Sequence, residues 1–192
     1  MATIGVLAIQ GDFAEHLAAL KKLDAKVREV RLPVELEGLG GLIIPGGEST
    51  TLARLLDVYG LREPLKRRAQ DGMAVWGTCA GMILLAKNLV EDRPQPLGLM
   101  DLDVQRNAYG RQVDSFVADI PVPALEGPVF HAIFIRAPKM HRVGEGVKVL
   151  ATLPEGGVVA AQEEQMLVTA FHPELTEDTR FHEYFLNMVE AP

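Results

Sequence analysis

Val75-Trp76-Gly77-Thr78-Cys79-Ala80-Gly81-Met82 decides how this chain is read. It holds the only cysteine in 192 residues. Upstream, Met73, Ala74, Val75 and Trp76 read as a short buried strand. Downstream, Met82-Ile83-Leu84-Leu85-Ala86-Lys87 reads as a helix. Cys79 therefore falls at a strand-to-helix turn, with Gly77 two residues before it and Gly81 two after. That is the spacing of a nucleophile elbow. Such a turn holds its central residue in a strained conformation that lifts it out of the sheet, and glycines on both sides keep neighbouring side chains from colliding. The N-terminus of the following helix aims free N–H groups and a positive dipole end at the sulfur, which favours thiolate. A lone cysteine is otherwise most often a buried small hydrophobe. The paired glycines at the junction favour the nucleophile.

Around this turn the composition is ordinary for a globular chain, 48% hydrophobic and 23% charged. The length fits one domain over residues 1–192 with a single sizeable core. A net charge of -7 argues against nucleic acid as the main partner, and Lys66-Arg67-Arg68 reads as a solvated helix face. One cysteine excludes an internal disulfide and fits a reducing compartment. No basic region precedes an apolar stretch at the N-terminus, and no apolar run approaches membrane-spanning length. The expectation is a soluble, cytoplasmic protein with no membrane partner.

The first half alternates strands and helices. Thr3 to Gln10, Lys26 to Val30 and Gly41 to Ile44 read as strands. Asp12, with Glu15 completing a capping box, starts a helix whose apolar face is Leu17, Leu20 and Leu23. Ser49 or Thr50 caps a second helix towards Asp57, and Pro64 sits in the first turn of a third that runs to about Gln70. After Asn88 and the polar loop Glu91 to Pro96, strand-like segments dominate: Leu102 to Gln105, Val113 to Ala118, Val129 to Ile135, Val147 to Leu150, Val158 to Ala161 and Met166 to Ala170. A last helix runs from about Glu177 to Glu190. The fold class is α/β: three layers, a mostly parallel central sheet with helices on both faces, and an antiparallel, strand-rich second half.

A cysteine nucleophile needs a base. His172 follows the apolar strand Met166 to Ala170 directly, with Pro173 after it and Glu174 two residues on. A strand end at the carboxyl edge of a parallel sheet is where α/β proteins place their sites. Glu174 is placed to orient the imidazole, the third-group role of a triad. His16 and His182 fall on helix faces and read as surface residues. His131 falls in a strand and His141 in a loop, with no partner evident for either. No histidine pair has ligand spacing with the cysteine or a carboxylate cluster, so no metal is expected.

A second motif, Pro45-Gly46-Gly47-Glu48-Ser49-Thr50, lies after a strand and before a helix. Such a loop exposes backbone N–H groups to an anion. One reading is a phosphate cradle, although P-loop spacing and its lysine are absent. The other is an oxyanion hole, in which an N–H of this loop and that of Ala80 hold a developing negative charge.

Pro45-Gly46-Gly47-Glu48-Ser49-Thr50, Gly77-Thr78-Cys79-Ala80-Gly81 and His172-Pro173-Glu174, in this order, resemble a class I glutamine amidotransferase. The stretches Arg106 to Phe116, Phe134-Ile135-Arg136-Ala137-Pro138 and His172 to Asp178 narrow the resemblance to the glutaminase subunits of pyridoxal 5′-phosphate synthases. It runs from Ile4 almost to the C-terminus. The resemblance implies hydrolysis of L-glutamine to L-glutamate and ammonia. Cys79 attacks the amide carbon, His172 is base and then acid, Glu174 is the third member, and a thioester forms. It also implies that Gly47, Glu48, Ser49, Arg106, Ile135 and Arg136 bind glutamine, with the N–H groups of Gly47 and Ala80 as oxyanion hole and no cofactor. The implied partner is a separate (β/α)8-barrel synthase subunit that uses the ammonia. Two other functions remain open at this point: a cysteine hydrolase of a different substrate, and a non-catalytic partner that only regulates a synthase.

Overall fold

The computed structural model describes residues 2–106 and 115–190. Its first half runs β1 (Thr3–Leu7), α1 (Phe13–Lys22), β2 (Val27–Val30), a 3-10 turn (Pro33–Leu36), β3 (Leu39–Ile44), α2 (Ser49–Val58), α3 (Arg62–Gln70), β4 (Ala74–Thr78) and α4 (Ala80–Leu85). The second half runs β5 (Ala86–Leu89), β6 (Met100–Gln105), β7 (Ser115–Ile120), β8 (Phe130–Ile135), β9 (Lys139–Val143), β10 (Lys148–Thr152), β11 (Val158–Glu163), β12 (Met166–Thr169), a 3-10 turn (Pro173–Leu175) and α5 (Arg180–Glu190).

Seven strands form the main sheet in the order β10-β11-β12-β4-β3-β1-β2. The five from β12 to β2 are parallel, and β10 and β11 extend them antiparallel. Every residue of β4 and β12 is buried, as strands covered on both faces must be. Side chains of β4 alternate between faces. Trp76 points to one face, where it packs on Phe181 and Phe185 of α5, and Thr78 meets His16 of α1. Gly77 points to the other, where α4 lies so close that a Cβ would stand 2.5 Å from the Gly81 carbonyl carbon. A β5-β6-β9 sheet and the β7-β8 hairpin flank this body. Phe130 and Phe134 of the hairpin pack against Phe171, and the His172 N–H donates to the Ile133 carbonyl at 2.9 Å. The α/β architecture with a strand-rich second half is thus as expected.

Several local expectations change. The helix expected to reach Lys87 ends at Leu85, and Ala86 opens a strand. The carbonyls of Leu84, Leu85 and Ala86 accept the N–H groups of Leu97, Leu99 and Gly98, so a neighbouring segment takes the bonds a further turn would make. The Asp12 side chain makes no capping bond to α1. The cap of α2 is neither Ser49 nor Thr50 but Glu48, whose carboxylate accepts the N–H groups of Thr50 (3.1 Å) and Thr51 (2.7 Å). The last helix starts at Arg180, where Asp178 accepts its N–H. Leu23 is half buried, and Arg68, read as solvated, is half buried and donates to the Leu39 carbonyl. His141 lies in β9 rather than a loop, and His131 has a partner, Asp119, at 2.8 Å. The strand expected from Val113 is described from Ser115. Its first two residues lie outside the described residues, as do Asn107 to Asp114 of the resembling stretch. Among the described residues, no helix is long and apolar enough to cross a membrane.

Candidate functional site

Adjacent parallel strands bring the reactive side chains together. Thr78 of β4 is registered with Thr169 of β12, so Cys79 and His172 leave the same sheet edge side by side. Cys79 sits at φ 47°, ψ -101°, a conformation costly for a side-chain-bearing residue and characteristic of functional turns. The glycines of the elbow are required by contact. A Cβ on Gly81 would stand 2.1 Å from the Ile44 carbonyl oxygen, and one on Gly77 would strike Gly81. The Cys79 thiol faces the Ile135 carbonyl at 3.8 Å.

His172 is buried against Gly46, whose missing side chain makes room for it: a Cβ there would lie 2.4 Å from His172 Cε1. His172 Nδ1 and Glu174 Oε1 are 2.7 Å apart. The other ring nitrogen is then left for the sulfur. Burial alone would lower the His172 pKa, but hydrogen bonds to Cys79 and Glu174, and their charges, push it up to about 10. Burial pushes the Glu174 carboxyl above its ordinary value, while the His172 hydrogen bond and charge pull it back.

A cleft of about 350 Å³ opens over this edge, lined among others by Gly47, Glu48, Ser49, Ala80, Arg106, Ile135 and Arg136. Every residue assigned from the sequence to catalysis or binding therefore lies at this cleft, Glu174 behind His172. Arg106 approaches Glu48 at 3.5 Å and donates to the Arg93 carbonyl. Burial raises and hydrogen bonds from Thr51 and Thr50 lower the Glu48 carboxyl, which ends below its ordinary value. Arg136, like Cys79, has a positive φ, 43°. Ala80 opens α4, so its N–H is one of those a helix start leaves without an intrahelical partner.

Sequence reasoning missed four residues here. Gln10 accepts the Glu48 N–H at 3.0 Å and packs against Gly47, where a Cβ would stand 2.5 Å from its amide oxygen. Asp12 stands 3.5 Å from His172 Nδ1, its pKa raised by burial and drawn back by His172. The other two were read as surface residues: His16 and His182 are fully buried. They face each other at 3.0 Å, and His16 Nε2 lies 3.4 Å from Glu174 Oε2. The reason is tertiary: His16 of α1 and His182 of α5 meet beside Trp76, each in a T-shaped arrangement with the indole.

Asp12, His172 and Glu174 each bring a donor atom within 4.8 Å of the others, a metal-like cluster that chain spacing did not reveal. The His172 and Glu174 atoms of that group are engaged with each other.

Comparison with known proteins now bears on this geometry. Residues 6–191 match the SNO glutamine amidotransferase family. The chain is 56% identical over 189 residues (97% of this chain, 100% of the relative) to the pyridoxal 5′-phosphate synthase subunit PdxT of Herpetosiphon aurantiacus. It is 55% identical over 187 residues to the subunit of the same name from Thermosipho africanus, covering 97% and 98% of the two chains. A solved structure described as a glutamine amidotransferase superposes with a TM-score of 0.92 at 49% identity, over 98% of this chain and 99% of that one. PurLQS from Thermotoga maritima shares the fold at 16% identity, with a TM-score of 0.73 over 99% and 100% of the chains. The chain belongs to the SNO glutamine amidotransferase family.

Proposed function

We propose that this protein is the glutaminase subunit of a pyridoxal 5′-phosphate synthase. It hydrolyses L-glutamine to L-glutamate and ammonia, which a (β/α)8-barrel partner consumes. The observation that carries the reading is the constellation at the elbow: Cys79 at positive φ, His172 locked to Glu174 at 2.7 Å, and a cleft in front with two arginines.

His172, whose protonated form is favoured by Cys79 and Glu174, takes the thiol proton of Cys79 as base. The thiolate attacks the amide carbon and the carbonyl oxygen becomes an oxyanion, taken by the N–H groups of Ala80 and Gly47. His172 gives its proton to the leaving nitrogen, ammonia departs, and a thioester remains. His172, now neutral, takes a proton from water, whose oxygen attacks the thioester carbon. Collapse expels the thiolate and releases glutamate. Arg106 and Arg136 suit the α-carboxylate as charge-assisted donors, and main-chain atoms of Ile135 hold the amino-acid end.

The test is ammonia release from glutamine, set against a peptide panel and measured with and without the barrel subunit. Glutamine-specific release, lost on Cys79→Ala, supports the reading. Peptide cleavage in its place, or no turnover with the partner present, would overturn it.

A further inference from the structure

Three buried imidazoles and one carboxylate form a continuous set from the cleft to the far face of the sheet, and the mechanism above uses only His172 and Glu174. The remaining two are His16 on α1 and His182 on α5. Their hydrogen bonding has few solutions. His16 Nδ1 faces His182 Nε2 at 3.0 Å. His16 Nε2 faces Thr78 Oγ1 at 3.2 Å and Glu174 Oε2 at 3.4 Å. Among the described residues, neither Glu174 Oε2 nor His182 Nδ1 makes a hydrogen bond, and His16 Nε2 is the nitrogen that approaches Glu174 Oε2.

If His16 carried its proton on Nδ1 it would donate to His182 Nε2. His182 would then bury an unpaired Nδ1–H, and Glu174 Oε2 would face a lone pair. That leaves a donor and a charged acceptor unsatisfied, each costly in the interior. If instead His182 Nε2–H donates to His16 Nδ1, then His16 Nε2–H is bonded to Thr78 and turned towards Glu174; one imidazole lone pair is unfilled, and the Glu174 oxygen, though not hydrogen-bonded, faces an N–H instead of a lone pair. We propose that His16 is a positioning residue for the catalytic pair, its Nε2–H held towards the second oxygen of Glu174 by His182. Both rings are neutral in this arrangement, in keeping with their burial. The carboxylate thus takes a hydrogen bond from His172 on one oxygen, and on the other faces, at 3.4 Å, the positive end of an N–H that His16 shares with Thr78. The His16 N–H opposes the burial that disfavours the Glu174 charge, and a charged Glu174 in turn favours the imidazolium.

The titratable groups around this carboxylate are His172 beside it, His16 and His182 behind it, Asp12 from the β1–α1 loop and Cys79 beyond His172. Removing the His16 donor weakens Glu174 as an anion, hence His172 as a cation, hence Cys79 as a thiolate. The kinetic consequence rests on the glutaminase reading; the proton positions and the thiol's reactivity do not.

Two measurements on the full chain decide it. Long-range ¹H–¹⁵N correlation spectra read the tautomers of the wild type, with His16 and His182 both expected as Nε2–H. The rate of Cys79 alkylation by iodoacetamide is followed against pH in wild type, His16→Leu and His16→Gln. His16→Leu should move the onset of reactivity up by about one pH unit, as loss of an N–H turned towards a charged group implies. With the barrel subunit present it should lower kcat for glutamine about 10- to 100-fold at little change in KM. His16→Gln, whose amide nitrogen reaches the place of Nε2, should restore most of both. An Nδ1–H tautomer at His16 overturns the proposal even if His16→Leu fails to fold. So does a folded His16→Leu with the wild-type alkylation profile. A wild type that shows the Nε2–H tautomers and the alkylation shift but never releases ammonia sinks the glutaminase reading and leaves this one standing.

Discussion

Cys79, the nucleophile we propose, is as unusual in its backbone as in being the only cysteine of the chain. Its φ of 47° is held by β4 on one side and α4 on the other, not by the thiol. We predict that Cys79→Ala keeps the fold, with a thermal midpoint close to wild type, and releases no ammonia above background. Substantial turnover by that folded variant would falsify the mechanism. His172→Asn should lose nearly as much, because attack and departure of ammonia both need the imidazole. Glu174→Gln should lose less, roughly 10- to 100-fold at neutral pH, because its amide oxygen can still accept the Nδ1–H while the charge is gone. The pH profile gives the sign. His172 is pushed up to about 10 by Cys79 and Glu174, so the arm of kcat that needs imidazolium falls as pH rises through that region. Without the Glu174 charge that arm must fall at lower pH. A Glu174→Gln profile with its alkaline arm unmoved would show that Glu174 does not support the cation. Arg106→Ala should raise KM chiefly, since a carboxylate contact is present in ground and transition states alike. A large fall in kcat at constant KM would instead make it part of the chemical step.

Among the elements, the loop from Ile44 to Ser49 is the least replaceable. Gly46 gives the His172 ring its place, so Gly46→Ala should displace the imidazole and cost far more activity than stability. Full glutaminase activity in that variant would mean the ring does not occupy the place beside Gly46 during turnover. The place of this loop, though not its role, was legible from the chain, because a Gly-Gly pair closing an apolar run marks a break between strand and helix. The strands β1, β3, β4 and β12 were legible as short apolar runs closed by Gly or polar residues. The boundary at Ala86 was not, because Met82 to Ala86 is apolar throughout and buried helix and buried strand then look alike. Glu48 was expected at the substrate and not at the helix cap, since Glu is an unusual cap. Gln10 escaped notice, and Asp12 was read only as a helix cap, because the β1–α1 loop meets β3's loop only across the sheet edge. His16 and His182 failed for the plainest physical reason. A polar residue on an amphipathic helix reads as exposed until a second helix covers it, and that covering helix lies 166 positions away.

The whole molecule carries the cost of that buried pair. Burial pushes the His182 pKa down to about 4, and that of His16 well below the ordinary histidine range. The unfolded chain therefore takes up protons that the folded one refuses as pH falls from about 6.5. Folding stability contributed by the neutral rings is present above that pH and is lost progressively down to about 4, on the order of 3 kcal/mol from His182 alone. Denaturant midpoints at pH 7 and pH 5 should differ by less in His182→Phe than in wild type. An equal difference in both would mean that the ring is protonated in the native state. A last consequence follows from the place of β12, which sits inside the sheet between β4 and β11 rather than at its edge. The base and its carboxylate arrive on the segment that leaves β12, more than ninety residues after the thiol, roughly the span between Cys79 and His172. A nascent chain thus carries Cys79 long before the His172 and Glu174 that we propose as its base and orienting group. On that reading, a chain that stops short of them holds the thiol but releases no ammonia from glutamine.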